Sequence, residues 1–177
     1  MASNTSLTIP QVLHAFNIYE SGNALAGISG DVTLPDLESM TETLSGPGIA
    51  GEIEAPVLGF FSSMTVEIPF AVIYGDYFRL MKFQKNCELM LRGSIQVENK
   101  SDGSITQVPL RVVFRGKTKT AGFGKATQGT KNENSITLEL SYLKIEVDGE
   151  TKFEVDKYNF KFVVDGVDLL ADVRKNI

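Results

Sequence analysis

The sequence is poor in the residues that build cross-links, metal centres and nucleophilic sites. It has one cysteine, Cys87, and one histidine, His14. A single cysteine excludes an intramolecular disulfide. One cysteine and one histidine also exclude most structural zinc sites, which take four such ligands. A Cys–His catalytic pair would need His14 folded back onto Cys87, and neither lies in a recognisable catalytic motif. Cys87 directly precedes the strand-like ELMLRGSIQV, which points to a buried structural thiol. No apolar run approaches the about 20 residues of a membrane-spanning helix. The opening MASNTSLTIPQVLHAF has neither the basic region nor the long apolar core of a secretory signal. Positive charge is missing from the first part of the chain, where no lysine or arginine precedes Arg79.

What is present is the composition of an ordinary globular protein. The chain has 177 residues, 42% apolar and 22% charged, enough for one domain over 1–177 with a sizeable core. The net charge of −5 conceals a polarity. Residues 1–78 carry nine acids and no base, and the remainder is net +4. Between Asp102 and Glu133 there is no acid, while Arg111, Arg115, Lys117, Lys119, Lys125 and Lys131 contribute six positive charges. Such polarity predicts a partner of opposite sign, either nucleic acid or another copy of the chain.

Strand signals dominate. Met64, Val66, Ile68 and Phe70 alternate with polar residues and Pro69. So do Leu89, Leu91, Ile95 and Val97, and then Val108, Leu110, Val112 and Phe114, with SDG at 101–103 as the connecting turn. ITLELSYLKIEV runs into Asp148-Gly149 and returns as ETKFEV, a hairpin with a tight primed turn. Leu138, Leu140 and Tyr142 share one parity and Leu143, Ile145 and Val147 the other, which predicts a bulge near Tyr142. Tyr158, Phe160, Phe162 and Val164 alternate in a last strand. One helix is predicted over 70–81 from the spacing of Phe70, Ile73, Tyr74, Tyr77 and Met81, with Pro69 at its start, and a short one over Leu169 to Lys175. The fold class that follows is mainly β: an antiparallel sandwich or rolled sheet with one flanking helix and a short C-terminal helix.

The stretch GKATQGTK, residues 124–131, has the glycine spacing of a phosphate-binding loop. The two residues after Gly129 are Thr130-Lys131, the reverse of the order required, and a strand follows instead of a helix. It is better read as the basic tip of a hairpin. Residues 45–61 form another unusual connection, rich in Gly46, Pro47, Gly48 and Gly51, yet carrying Ile49, Ile53, Val57, Leu58, Phe60 and Phe61. A connection this long and this apolar has to bury itself against something, so it is expected to act as an interaction arm.

VTLPDLESMTETLSGPGIAGEIEAPV over 32–57, the basic segment from LRVVFRGKTKT to the Asp-Gly hairpin, and the closing FVVDGVDLLADVRKNI follow one another in an order that resembles the tail tube proteins of contractile-tailed phages and R-type bacteriocins, a family related in fold to the haemolysin-coregulated protein of type VI secretion. The resemblance implies six copies in a ring and rings stacked into a hollow tube inside a contractile sheath. Baseplate and tail terminator proteins would be its other partners. The tube would be driven through a cell envelope, passing DNA through its lumen in a phage or dissipating ion gradients in a bacteriocin. It implies assembly in the bacterial cytoplasm into a virion tail or released particle, with no catalysis, cofactor or metal. On that reading Lys117, Lys119, Lys125 and Lys131 would meet Glu42, Glu52 and Glu54 of a neighbouring copy. Gly46, Pro47, Gly48, Ile49, Phe60 and Phe61 of the arm would pack between rings. Gln96, Glu98, Thr137 and Glu139 would be candidates to line the lumen. A nucleic-acid-binding β-module using residues 111–131 is the alternative, with a small-ligand barrel or an enzyme behind it.

Overall fold

Period-two apolar patterning draws most of the chain into antiparallel strands. The computed structural model describes residues 7–177. In chain order the elements are β1 (Thr8–Glu20), β2 (Asn23–Ala24), β3 (Ser39–Leu44), β4 (Ile53–Phe61), β5 (Thr65–Phe70), α1 (Gly75–Arg79), β6 (Cys87–Asn99), β7 (Ile105–Gly122), β8 (Asn134–Val147), β9 (Glu150–Asp156), β10 (Lys161–Val164), β11 (Val167–Asp168) and α2 (Ala171–Asn176). Nine strands form one sheet in the order β11-β10-β9-β8-β7-β6-β1-β2, with β5 added on β8, while β3 and β4 form a separate two-stranded hairpin.

The sheet is rolled. Residues 27–33 run along the second edge of β5, through bridges Ile28↔Phe70 and Thr33↔Glu67. Just before them, Leu25 N–H donates to the carbonyl of Ile18 in β1 at 2.8 Å. Around the roll, β1 thus leads through residues 23–33 to β5, then to β8, β7, β6 and back to β1. Inside lies the core, with Ile18, Met64, Val66, Ile68, Leu89, Phe114, Ile136 and Leu138 all but fully buried. Each such side chain contributes roughly 1.5–3 kcal/mol by leaving water.

Strand β8 has partners on both sides along most of its length. β7 flanks it from Ser135 to Val147, while on the other side β5 covers Asn134 to Glu139 and β9 covers Tyr142 to Val147. The handover falls at Ser141, which is skipped in the ladder where Arg115↔Tyr142 gives way to Gly116↔Leu140. This is the bulge that the parity switch predicts. Opposite it, a Cβ on Gly116 would lie 2.1 Å from the Glu139 carbonyl oxygen, so no side chain fits. The Asp148-Gly149 turn also forms as predicted, with φ of 53° and 78°.

Three expectations need correction. The helix predicted over 70–81 contracts to Gly75–Arg79. Phe70 instead ends β5, paired with Asn134, and Ala71 N–H donates to Gly27. Pro69 sits inside β5, where its carbonyl accepts from Ser29 N–H at 2.9 Å. Residues 45–61 are not simply a loop, because 53–61 is strand β4 and only the tip is irregular. The last strand begins at Lys161, and Tyr158 and Phe160 belong to the turn before it, Phe160 at φ 48°.

Helix α1 is held by Tyr77 and the following Leu80, both fully buried. The Tyr77 hydroxyl donates to the Gly122 carbonyl at 2.9 Å, and its ring meets Phe70 edge-on at 5.6 Å. At the end of β1 the buried Glu20 carboxylate is paired with Lys82 and, at 3.1 Å, with Arg79. Asp76 accepts from Ala26 N–H at 2.9 Å and from Arg79 at 2.8 Å, which holds its carboxyl below the usual range. Burial, with the Glu20 carboxylate beside it, pushes the Cys87 thiol up to about 11. His14 stands near Ser94 in the β1–β6 ladder, about 23 Å along the strand from Cys87, so these two form no pair.

Candidate subunit interface

Three surfaces of the molecule are poorly satisfied within one chain. The first is the β3–β4 hairpin. Every residue of β3 is exposed, and so are most of β4, although Met40, Leu44, Ile53, Val57, Leu58 and Phe60 are apolar. Its root is fixed. Phe61 is buried against Phe162, ring centroids 4.9 Å apart, and Gly59 at φ 79° leaves space for Leu170, which would lie 2.5 Å from any Cβ there. Its tip turns on Gly46, Gly48 and Gly51, all at positive φ, with Ile49 N–H donating to the Gly46 carbonyl at 3.1 Å. Pro47 and Ile49 lie at that tip, and Glu42, Glu52 and Glu54 are exposed on the hairpin. Of the predicted arm residues, only Phe61 is withheld from the surface.

The second surface is the outer edge of β1. One side of this strand pairs with β6, but β2 takes up only Tyr19 and Glu20 on the other. Among the described residues no other strand pairs with this edge, so residues 8–17 present backbone donors and acceptors there beside exposed Ile9, Val12 and Leu13. A long unpaired edge is a ready acceptor for another strand. Gln96 and Glu98 lie on the adjoining strand, linked to Gln11, whose side chain donates to Glu98 and accepts from Gln96 at 2.8 Å.

The third is the basic segment. The structure divides its six charges. Arg111 pairs with Glu146 at 3.4 Å, Arg115 with Glu88 at 3.0 Å, and Lys119 with Glu139 at 3.0 Å. Burial raises the Glu139 carboxyl, but hydrogen bonds from Ser63 and Lys119 outweigh it and hold the group below its ordinary value. Lys117, Lys125 and Lys131 are exposed and have no carboxylate partner among the described residues. Glu42, Glu52 and Glu54 are equally unpaired there. Lys117 and Lys119 lie on β7, and Lys125 and Lys131 on the loop to β8. That loop is a hairpin connection, as its sequence predicts, and it is pinned by Lys125 N–H to the Asn132 carbonyl at 2.6 Å and Asn132 N–H to Ala71 at 2.8 Å. Gly124 is required at φ 64°, since a Cβ would meet the Asn132 carbonyl oxygen at 1.9 Å.

Sequence reasoning missed a fourth feature, exposed aromatic residues around α1. Tyr74, Phe78 and Phe123 are 81%, 56% and 54% exposed. Helical spacing placed Tyr74 on the core face, but it precedes α1, while Phe78 lies within α1 beside the buried Tyr77. A shallow groove of about 250 Å³ lies at the Ser141 bulge, lined by Lys117, Glu139, Lys157 and Tyr158 among others. No cluster of metal-binding side chains occurs among the described residues.

The family model for phage tail tube protein FII matches residues 10–177. The tail tube protein of Escherichia phage P2 is 29% identical, covering 97% of this chain and 99% of its own. The major tail tube protein of Serratia phage KSP20 is 26% identical over 94% of each. Among solved structures, a chain from the sheath-tube complex of an extracellular contractile injection system in the extended state shares the fold. It is 12% identical with a TM-score of 0.51, covering 82% of this chain and 97% of that one.

Proposed function

The chain belongs to the phage tail tube protein FII family, and from that premise we infer that it is a structural subunit of the inner tube of a contractile tail, six copies to a ring and rings stacked head to tail. The observation that carries this reading is the β3–β4 hairpin, rooted in the core yet apolar on a surface that none of the described residues covers. The free edge of β1 supports it, because a ring of copies supplies each such edge with a neighbouring strand. Unanswered lysines on one part of the molecule and unanswered glutamates on another suit a heterologous contact, which propagates as a filament. A sheath outside the tube, a terminator at its end and a baseplate beneath it complete the assembly, which forms in the bacterial cytoplasm and leaves as part of a tail particle. A subunit in this role holds shape and needs no catalytic group.

Negative-stain microscopy of the concentrated protein tests the reading. Rings or tubes about 80–100 Å across are expected from six domains of this size around a pore. A protein that stays monomeric and shifts labelled DNA in a salt-dependent way would replace this reading with nucleic-acid binding. The pairing of Arg111, Arg115 and Lys119 within the chain argues against that alternative, since it halves the charge available to phosphates.

A further inference from the structure

The aromatic residues around α1 are grouped. Phe78 and Phe123 both pack on the buried Tyr77 ring, with centroids 5.7 and 6.0 Å away, and Tyr74 precedes the first turn of α1. More than half of each of the three is exposed. Lys125 and Lys131 lie on the same loop as Phe123, which Lys125 N–H to the Asn132 carbonyl and Asn132 N–H to Ala71, ahead of the helix, hold in place. The result is a preformed apolar seat with a positive rim. Contiguous exposed apolar surface with a polar rim marks an interaction site, and aromatic residues carry much of the binding energy at such sites.

We propose that Tyr74, Phe78 and Phe123, with Lys125 and Lys131, receive the β3–β4 hairpin of the next copy along the tube. The assignment rests on the tube-subunit reading and specifies which surfaces meet. Its occupant follows from complementarity. The hairpin is apolar at Leu44, Ile53 and Leu58, carries Glu42, Glu52 and Glu54, and has no basic residue. It also follows from position. Strand β5 runs from Thr65, four residues beyond Phe61 at the end of the hairpin, to Phe70, a few residues before α1. Seat and hairpin root therefore stand at opposite ends of one strand about 17 Å long. A hairpin leaving one end and a seat at the other give a head-to-tail contact that repeats without closing. Lys117 and Lys119 lie outside this seat on β7, so the four lysines singled out in the sequence divide into two pairs.

The test places p-benzoylphenylalanine at position 78 or, separately, at 123, and irradiates the protein after tubes have formed. Cross-links from either position to residues 39–58 of a second copy are the expected result. Cross-links confined to other segments, in tubes of normal appearance, would overturn the seat and leave the tube reading standing. If the unsubstituted protein forms neither rings nor tubes, the tube reading fails and the seat with it. In parallel, Tyr74→Ala with Phe123→Ala is expected to raise the protein concentration needed for tube growth about tenfold or more, with an unchanged circular dichroism spectrum and melting curve. Lys125→Glu with Lys131→Glu is expected to weaken growth, and Glu42→Lys with Glu54→Lys on the same chain to restore it. Normal growth of the double alanine variant, or absence of rescue, would count against the seat. Retention of single-stranded DNA by the monomer, lost on the same substitutions, would identify the aromatic surface as a base-stacking platform instead.

Discussion

At the scale of single residues, the buried cluster at the end of β1 makes one charge state matter. Cys87 is neutral at physiological pH because burial and the Glu20 carboxylate raise its thiol to about 11, against 9.0 for an unperturbed group. An acid whose folded-state value is raised stabilises the fold fully below the unfolded value and loses that contribution as pH climbs through the folded one. Stability should therefore decline between about pH 9 and 11, by about 2 kcal/mol at the upper end. Denaturant titrations at stepped pH measure this, and Cys87→Ala should flatten that part of the profile whatever it does to stability at pH 7. A slope unchanged in the variant would show that other groups, such as Tyr142 with its hydroxyl raised to about 12, carry the whole effect.

At the scale of elements, the hairpin separates folding from assembly. Leu44 and Ile53 are directly paired, so replacing residues 45–52 by Asn-Gly joins them through a primed two-residue turn. The removed tip is exposed and contributes nothing to the core. The melting midpoint should stay within about 2 °C of the parent, while tube formation is lost. Tubes of normal yield and length would remove the hairpin tip from the interface. What the sequence revealed about such elements depended on how local their causes were. The Asp148-Gly149 turn and the Ser141 bulge were legible because neighbouring residues alone dictate them. The helix over 70–81 was overestimated because pairing of Phe70 with β8 is a long-range contact that competes with helical spacing. Strand β4 was hidden because Ile53, Val57, Leu58 and Phe60 are apolar on both parities, which erases the period-two signal, and the glycines before them suggested a loop. The exposed Tyr74 was unreadable for the same reason as the helix, since its place outside α1 depends on where the helix starts.

At the scale of the whole molecule, charge is distributed so that the chain answers itself only in part. Half of the basic segment is neutralised internally, while Lys117, Lys125, Lys131, Glu42, Glu52 and Glu54 have no charged partner among the described residues. Contacts built on exposed charges weaken as the screening length shrinks from about 10 Å at 0.1 M salt to about 3 Å at 1 M. Light scattering should accordingly show a higher critical concentration for tube growth in 1 M than in 0.05 M sodium chloride. Growth that is indifferent to salt would leave the apolar contacts alone responsible. Strand β8 bears on a different property of the whole. Its hydrogen bonds to β7 on one side, and to β5 and then β9 on the other, lie across its length. A pull along that strand loads many bonds together in shear and cannot peel it from one edge. The β3–β4 hairpin, held by a single ladder, yields first under the same force. A body built this way resists extension more at its centre than at its projecting hairpin, so force applied along the strands is carried mainly by the β7–β8 region.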